Sequence, residues 1–524
     1  MDAAELTRRR LLQAAAGLLG LTAPSAWPRR LNAQPRFSDN PFTLGIASGD
    51  PSPTSVVLWT RLAPRPLEGG GMPREDVELR CRVATDDRMA NVVVDEIFVA
   101  MPELAHSVHA IVNGLEPSKD YWYQFSAGGE ETPIGRTRTL AQPGARISRV
   151  DFAYTSCQHY ESGFYAPYRF MAEEDLDLVI QLGDYIYEGG ISALAEGRIV
   201  RQHNSDQVIS LHEYRNRYAL YKSDPDLQAA HAAFPWLVSW DDHEVNNNYA
   251  SSTPQDPDKQ TAAEFFVRRL AATQAYYEHM PLRNFPVPKG GGLDLRLYGR
   301  TTFGDLAQVH LLDTRQYRSD QVCPRGDYVS PDCADRHAPS RTMLGEQQEA
   351  WLLNGLERSE ATWNVVAQQV WFGQYRFTTG AEPEFNRDAW DGYPVQRQRI
   401  VDLAAAKRAS NPVVLSGDWH NSCVRDIHRN PDDPTSEVVM TEFAGTSLSS
   451  RTGRTSQIQA SLADNPHVKF FDGDHRGYVR CRIEPEIFRA DLQFLSNPFD
   501  ATSETMRTGA SFIVESGRPG AQKS

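Results

Sequence analysis

Read from one end to the other, the apolar positions of this chain change period. Between residues 37 and 145 they alternate with polar ones in short runs, as in SVVLWTRL (55–62), VELRCRVA (77–84) and NVVVDEIFVA (91–100). A period of two turns one strand face to a core and the other to solvent. Turn-rich breaks separate the runs, so a small all-β sandwich is predicted over 37–145, with AQPGARISR (141–149) as linker. From 146 to 515 the runs become continuously apolar and alternate with helical stretches, as in a layered α/β domain. Residues 261–280 carry the period of an amphipathic core helix, with Phe265, Phe266, Tyr276 and Tyr277 on its apolar side.

The apolar runs of the second region share one property. LDLVIQLGDYIYE (176–188) breaks at Gly183 and then presents Asp184, Tyr187 and Glu188. A run from Val150 ends in Ser156, Cys157 and Gln158. FPWLVSW (234–240) ends in Asp241, Asp242, His243 and Glu244, followed by Asn246, Asn247 and Asn248. Residues 306–312 lead into Asp313, Thr314, Arg315, Gln316, Tyr317 and Arg318, and residues 412–415 into Gly417, Asp418, Trp419 and His420. Ligands collect at the carboxyl ends of strands in open α/β sheets. Each residue has an ordinary explanation as a helix cap, a buried thiol or histidine, or a surface ion pair. Five such clusters at corresponding places point instead to one site for hard cations and phosphate.

At 524 residues the chain exceeds one hydrophobic core, so more than one domain is expected. Its net charge of −14 excludes nucleic-acid binding by bulk electrostatics but not a small phosphorylated substrate, because bound cations dominate a local field. TRRRLLQ (7–13) and the weakly apolar AAAGLLGLTA (14–23) resemble a twin-arginine export signal over 1–33, with cleavage after Ala26 or Ala33. The apolar run is too short to span a bilayer. Export to the periplasm or beyond makes Cys323 and Cys333, around a turn-rich loop, a disulfide candidate. Cys81, Cys423 and Cys481 are left unassigned, residues 497–515 read as a lid or a packing tail, and SGRPGAQKS (516–524) reads as a disordered end.

The ordered set SCQ, GDYIYE, WDDHE, LDTRQYR and GDWH resembles the PhoD-type alkaline phosphatases and their phosphodiesterase relatives, within the calcineurin-like metallophosphoesterases. GLEPSKDYWYQF (114–125) likewise resembles fibronectin type III-like domains, with Tyr121 or Tyr123 as a tyrosine-corner residue. The resemblance implies an αββα-sandwich metallophosphoesterase domain preceded by a fibronectin- or immunoglobulin-like sandwich. It implies a ferric ion held by Cys157, Asp184, Tyr187 and His420, with Asp184 bridging to calcium and Asp242 and Asp418 as calcium ligands. Cys157 would then be an unpaired thiolate. His243 would stand near the leaving group, Arg315 would contact phosphate, and an acidic residue is common where Asn246 stands. The implied reaction is hydrolysis of phosphate mono- or diesters by metal-activated hydroxide in an exported monomer handled by the twin-arginine machinery. Phospholipids and phosphodiester polymers are the wider substrates. A phospholipase D-like activity and a noncatalytic surface-binding protein are the rival readings.

Overall fold

Val150–Thr155, Leu178–Leu182 and Pro235–Ser239 run parallel at the middle of a ten-stranded sheet. All their residues are buried, which is why their sequences lack a polar alternate face. The computed structural model describes residues 37–191, 199–289, 292–323, 328–378 and 382–524. The export signal expected in 1–33 lies outside the described residues. A second sheet of seven strands has Ala307–Leu311, Trp363–Ala367, Pro412–Ser416 and Val438–Ala444 parallel at its centre.

The two sheets pack face to face. Phe152, Ile180 and Leu237 of the first share a core with Val309, Val365 and Leu415 of the second. Each such side chain stabilises the packing by ~1.5–3 kcal/mol relative to exposure. Helices cover both outer faces. Leu211–Lys222, Pro225–Ala233 and Ala262–His279 set Tyr218, Leu227 and Tyr276 against Val179 and Trp236. Gly345–Glu357 and Pro394–Ala405 set Leu352, Leu356 and Ile400 against Val366 and Val414. The layers therefore run helix, sheet, sheet, helix. The helix expected over 261–280 begins with a reciprocal cap between Thr261 and Glu264, as its sequence dictates.

The N-terminal strands pack as two β layers. Val56, Leu58 and Val112 pack on Leu79, Val83 and Phe125. Tyr121 is the corner residue, its hydroxyl accepting the Glu116 N–H at 2.8 Å, whereas Tyr123 lies in the sandwich core. What the linear pattern does not reveal is that one sheet of this sandwich is shared. Ile46–Gly49 pairs in parallel with Pro235–Ser239, joining Ser55–Arg61 and Ser107–Asn113 to the ten-stranded sheet. A Cβ at Gly49 would stand 2.5 Å from the Pro281 carbonyl oxygen, so the junction requires glycine.

The opposite edge corrects the expectation of a disordered end. Arg518–Lys523 is a strand on Met506–Glu515. The Gly520 N–H donates to Thr441 Oγ1 at 3.1 Å and the Ala521 N–H to Asp426 Oδ1 at 2.9 Å. Acceptors from the second sheet thus satisfy a backbone that has little apolar surface of its own. Of the two readings for 497–515, Met506–Glu515 packs as a strand. Among the described residues, no helix is long and apolar enough to cross a membrane.

Candidate metal centre

The strand ends meet where the carboxyl edges of the two sheets converge. Each chain turns sharply there. Cys157, Asp184, Asp418 and His420 have φ of 57°, 55°, 66° and 56°, a left-handed conformation that costs non-glycine residues of order 1–3 kcal/mol. Backbone pairing between the turns sustains this. The Cys157 N–H donates to the Gly183 carbonyl and the Gln158 N–H to the Asp184 carbonyl, both at 3.1 Å. Gly183 has φ of 97°, and a Cβ on it would lie 2.4 Å from Asp241 Cβ. Glycine there lets the two carboxylate-bearing turns touch.

Three overlapping groups of side chains bring their ligand atoms within 4.8 Å of one another: Cys157 with Asp184 and His420; Asp184 with Asp242 and His243; Asp241 with Asp242 and Asp418. Asp184 belongs to the first two and Asp242 to the last two. Tyr187 joins the first group. Its hydroxyl donates to Asp184 Oδ2 at 2.9 Å and lies 3.1 Å from His420 Nε2 and 2.8 Å from Ser450 Oγ. His420 Nδ1 lies 2.7 Å from the Arg451 carbonyl oxygen, which fixes its proton there and turns a bare Nε2 toward Tyr187. Asp241 Oδ2 and Asp242 Oδ1 are buried and have no hydrogen-bond partner among the described residues. Burial drives the Cys157 thiol, the Tyr187 phenol and the Asp184 and Asp418 carboxyls well above their ordinary pKa values. A cation reverses that preference, because it favours the deprotonated form of each. The donor set therefore fits metal ions: a thiolate, a phenolate and an imidazole on one side, carboxylates on the other.

His243 sits at the edge of the cluster with its ring stacked on Tyr187 at 4.1 Å. Its Nδ1 lies 2.7 Å from Glu188 Oε2, and the other Glu188 oxygen accepts the Asn247 N–H at 2.7 Å. Burial opposes a charge on this imidazole, but Asp242, Glu188 and Asp184 outweigh it and raise its pKa well above 6.5. The carboxylates around it thus favour the charged form of the imidazole.

The phosphate contact expected of Arg315 does not match its place. The side chain is 0% exposed. Its guanidinium binds Asp241 and Asp388, and its Nη2 lies 3.7 Å from both Asp242 and Asp418. Surrounded by four carboxylates, it offsets their mutual repulsion rather than facing a ligand. Asn246 is also occupied, its amide oxygen accepting the Gln255 N–H at 3.0 Å. Cys323 is bridged to Cys333, and Cys157, Cys81, Cys423 and Cys481 are free and buried.

Glu188 and Asp241 stood in the sequence among the strand-end carboxylates read as one site for hard cations, without a role of their own. Asp388 follows only the short strand Glu384–Asn386, and Ser450 lies past the strand Val438–Ala444 in a run of serines, so neither stands in one of the quoted strand-end motifs. The cleft above the carboxylates has a volume of about 250 Å3 and is walled by Tyr328, Trp419 and Arg454.

Residues 152–492 match the PhoD-like phosphatase family and residues 26–141 its N-terminal domain. The chain belongs to the PhoD-like phosphatase family. It is a phosphoric ester hydrolase. Alkaline phosphatase D of Bacillus subtilis (strain 168) is 48% identical over 531 aligned positions, covering 98% of this chain and 89% of that one. A solved structure of PhoD superposes with a TM-score of 0.88 at 46% identity, covering 93% of each chain. Within this PhoD-like frame, the five strand-end motifs are the residues that converge on the cluster.

Proposed function

We propose that this chain is an exported, metal-dependent phosphatase of the alkaline phosphatase D type that hydrolyses phosphate monoesters and diesters. The observation that carries the proposal is the convergence of Cys157, Asp184, Tyr187, Asp242, Asp418 and His420 on one buried cluster with unpartnered carboxylate oxygens. Thiolate, phenolate and imidazole suit a ferric ion, so Cys157, Asp184, Tyr187 and His420 would hold iron. Oxygen-only donors suit calcium, which Asp184, Asp242 and Asp418 would hold, with Asp241 as a further carboxylate. Bound there, the ions supply Lewis acidity toward phosphate and toward water. The helix–sheet–sheet–helix layering supports placing the body among the metallophosphoesterases.

The remaining steps belong to the side chains. Asp184 presents its two oxygens to two neighbouring groups and sets the spacing between them. Arg315 holds Asp241 and Asp388 in place and offsets their charge. Glu188 accepts the hydrogen bond from the Nδ1–H of His243, which leaves the Nε2 proton for a phosphate or leaving-group oxygen. Trp419 and Tyr328 flank the organic part of the ester in the cleft.

The test is metal analysis of protein exported in its native host, joined to turnover of p-nitrophenyl phosphate and bis(p-nitrophenyl) phosphate before and after calcium chelation. Iron with calcium, activity lost on chelation and activity restored by calcium support the reading. Full activity in protein shown to lack both metals rejects it.

A further inference from the structure

A second cavity lies beside the catalytic cluster and shares no wall residue with the cleft. Its volume is about 510 Å3, a size suited to a small ligand. It is built by four pieces of chain: Ser251; Asp294, Arg296 and Tyr298 from one segment; Gln316 and Tyr317 just after Arg315; and the first turn of the helix Gly345–Glu357.

Two independent features give this cavity unmet hydrogen-bonding capacity of opposite sense. The first is an acceptor. Gln316 is only 6% exposed. Its amide nitrogen donates to the Leu295 carbonyl at 2.7 Å and to Asp313 Oδ2 at 2.6 Å, which fixes the amide's orientation. No donor among the described residues meets its Oε1. The second feature is a set of donors. The helix starts after Leu344, whose own side chain makes no cap. The Gly345 N–H donates to Thr342 Oγ1 at 2.7 Å, which leaves the N–H groups of Glu346 and Gln347 without a helical acceptor. The Arg296 guanidinium, resting 4.5 Å from the Tyr298 ring centre, adds further donors at the rim.

Charge then narrows the ligand. An anion would meet Asp294 and Glu346, and a cation would meet Arg296 and the positive end of the helix. What matches an acceptor and several donors without net charge is a run of hydroxyl groups, each able to give and receive one hydrogen bond. Tyr298 and Tyr317, edge to face at 5.8 Å, offer the carbon skeleton an apolar border. We infer that this cavity is a binding site for a neutral polyhydroxylated ring, a sugar. It does not depend on which metals fill the catalytic cluster.

The experiment is equilibrium titration of the intact protein with glucose, galactose and N-acetylglucosamine, with ligand-observed NMR as a second readout. At least one of the sugars saturates with a dissociation constant of about 0.1–10 mM. Arg296→Ala and Glu346→Pro each weaken that binding by about tenfold. Proline at the second helical position removes one N–H and leaves the helix in place. Arg296→Ala keeps the thermal midpoint and the turnover of p-nitrophenyl phosphate unchanged, since Arg296 is exposed and does not line the cleft. Gln316→Leu abolishes binding. Should it fail to fold, the two other variants still decide. The inference is overturned if none of the three sugars saturates, if Arg296→Ala and Glu346→Pro bind as tightly as the wild type, or if sulfate displaces the sugar and shows the site to be one for anions.

Discussion

Glu188 Oε2 lies 2.7 Å from His243 Nδ1 while the same imidazole stacks on Tyr187, so this carboxylate orients, and with Asp242 and Asp184 favours the charge on, a ring that leans on a candidate metal ligand. Glu188→Gln keeps the shape and removes the charge. The raised pKa of His243 means that its proton is present at low pH and lost as pH rises through that value. Without Glu188 that loss comes at lower pH. The expected result is a ~10–100-fold lower kcat with an alkaline limb displaced to lower pH. An unchanged pH–rate profile in folded Glu188→Gln protein removes His243 from the proton-holding role.

Asp184 is the residue common to two ligand groups, and an amide in its place carries no charge to hold two cations together. Asp184→Asn lowers turnover by at least ~100-fold and lowers bound metal in elemental analysis. Tyr187→Phe tests the same centre by colour. A phenolate on ferric iron absorbs visible light, so the wild type is coloured and Tyr187→Phe shows a shifted or missing band. Colourless wild-type protein with stoichiometric ferric iron would count against Tyr187 as a ligand.

Gly183→Ala probes the close approach of the Asp184 and Asp241 turns. The added Cβ lies 2.4 Å from both the backbone nitrogen and Cβ of Asp241, at a φ of 97° that L residues rarely adopt. The expected cost is ~2–4 kcal/mol in denaturant melts, with loss of metal in the fraction that folds. Wild-type stability in Gly183→Ala would show that the two turns do not need to touch.

Lys222 supplies a stability test outside the candidate ligand groups. It is buried over the Trp59 ring at 4.2 Å, and burial lowers its pKa from 10.5 to about 7. The unfolded chain then binds more protons than the folded one between pH 7 and 10.5. Stability therefore rises with pH across that window, and the cost of the buried charge is fully felt below pH 7. Lys222→Met stabilises the fold at pH 6 by on the order of 1–3 kcal/mol, and the gain fades toward pH 10. A loss of stability at pH 6 equal to that at pH 10 would show that the aromatic rings compensate the charge in full.

Much of the site was legible because each part is local. An apolar run that ends at a glycine and a carboxylate is written in a few adjacent residues, and GDYIYE, WDDHE and GDWH state their strand ends without help from the rest of the chain. Strand-versus-helix periodicity likewise determined the β region, the layered α/β body and the helix Ala262–His279. The tertiary structure alone decided which strands pair across long separations. Ser48 opposite Pro235, which merges the sandwich into the catalytic sheet, rests on backbone hydrogen bonds that carry no side-chain signature. Arg518–Lys523 is ordered by Asp426 and Thr441 from the facing sheet, not by any apolar pattern of its own. Arg315 read as a phosphate contact because an arginine after a strand is a plausible anion binder. Its fate was set by four aspartates from three other segments, whose charges draw it fully into the interior. Local chemistry determined which residues were available; the long-range pairing of the two sheets decided what each of them faces.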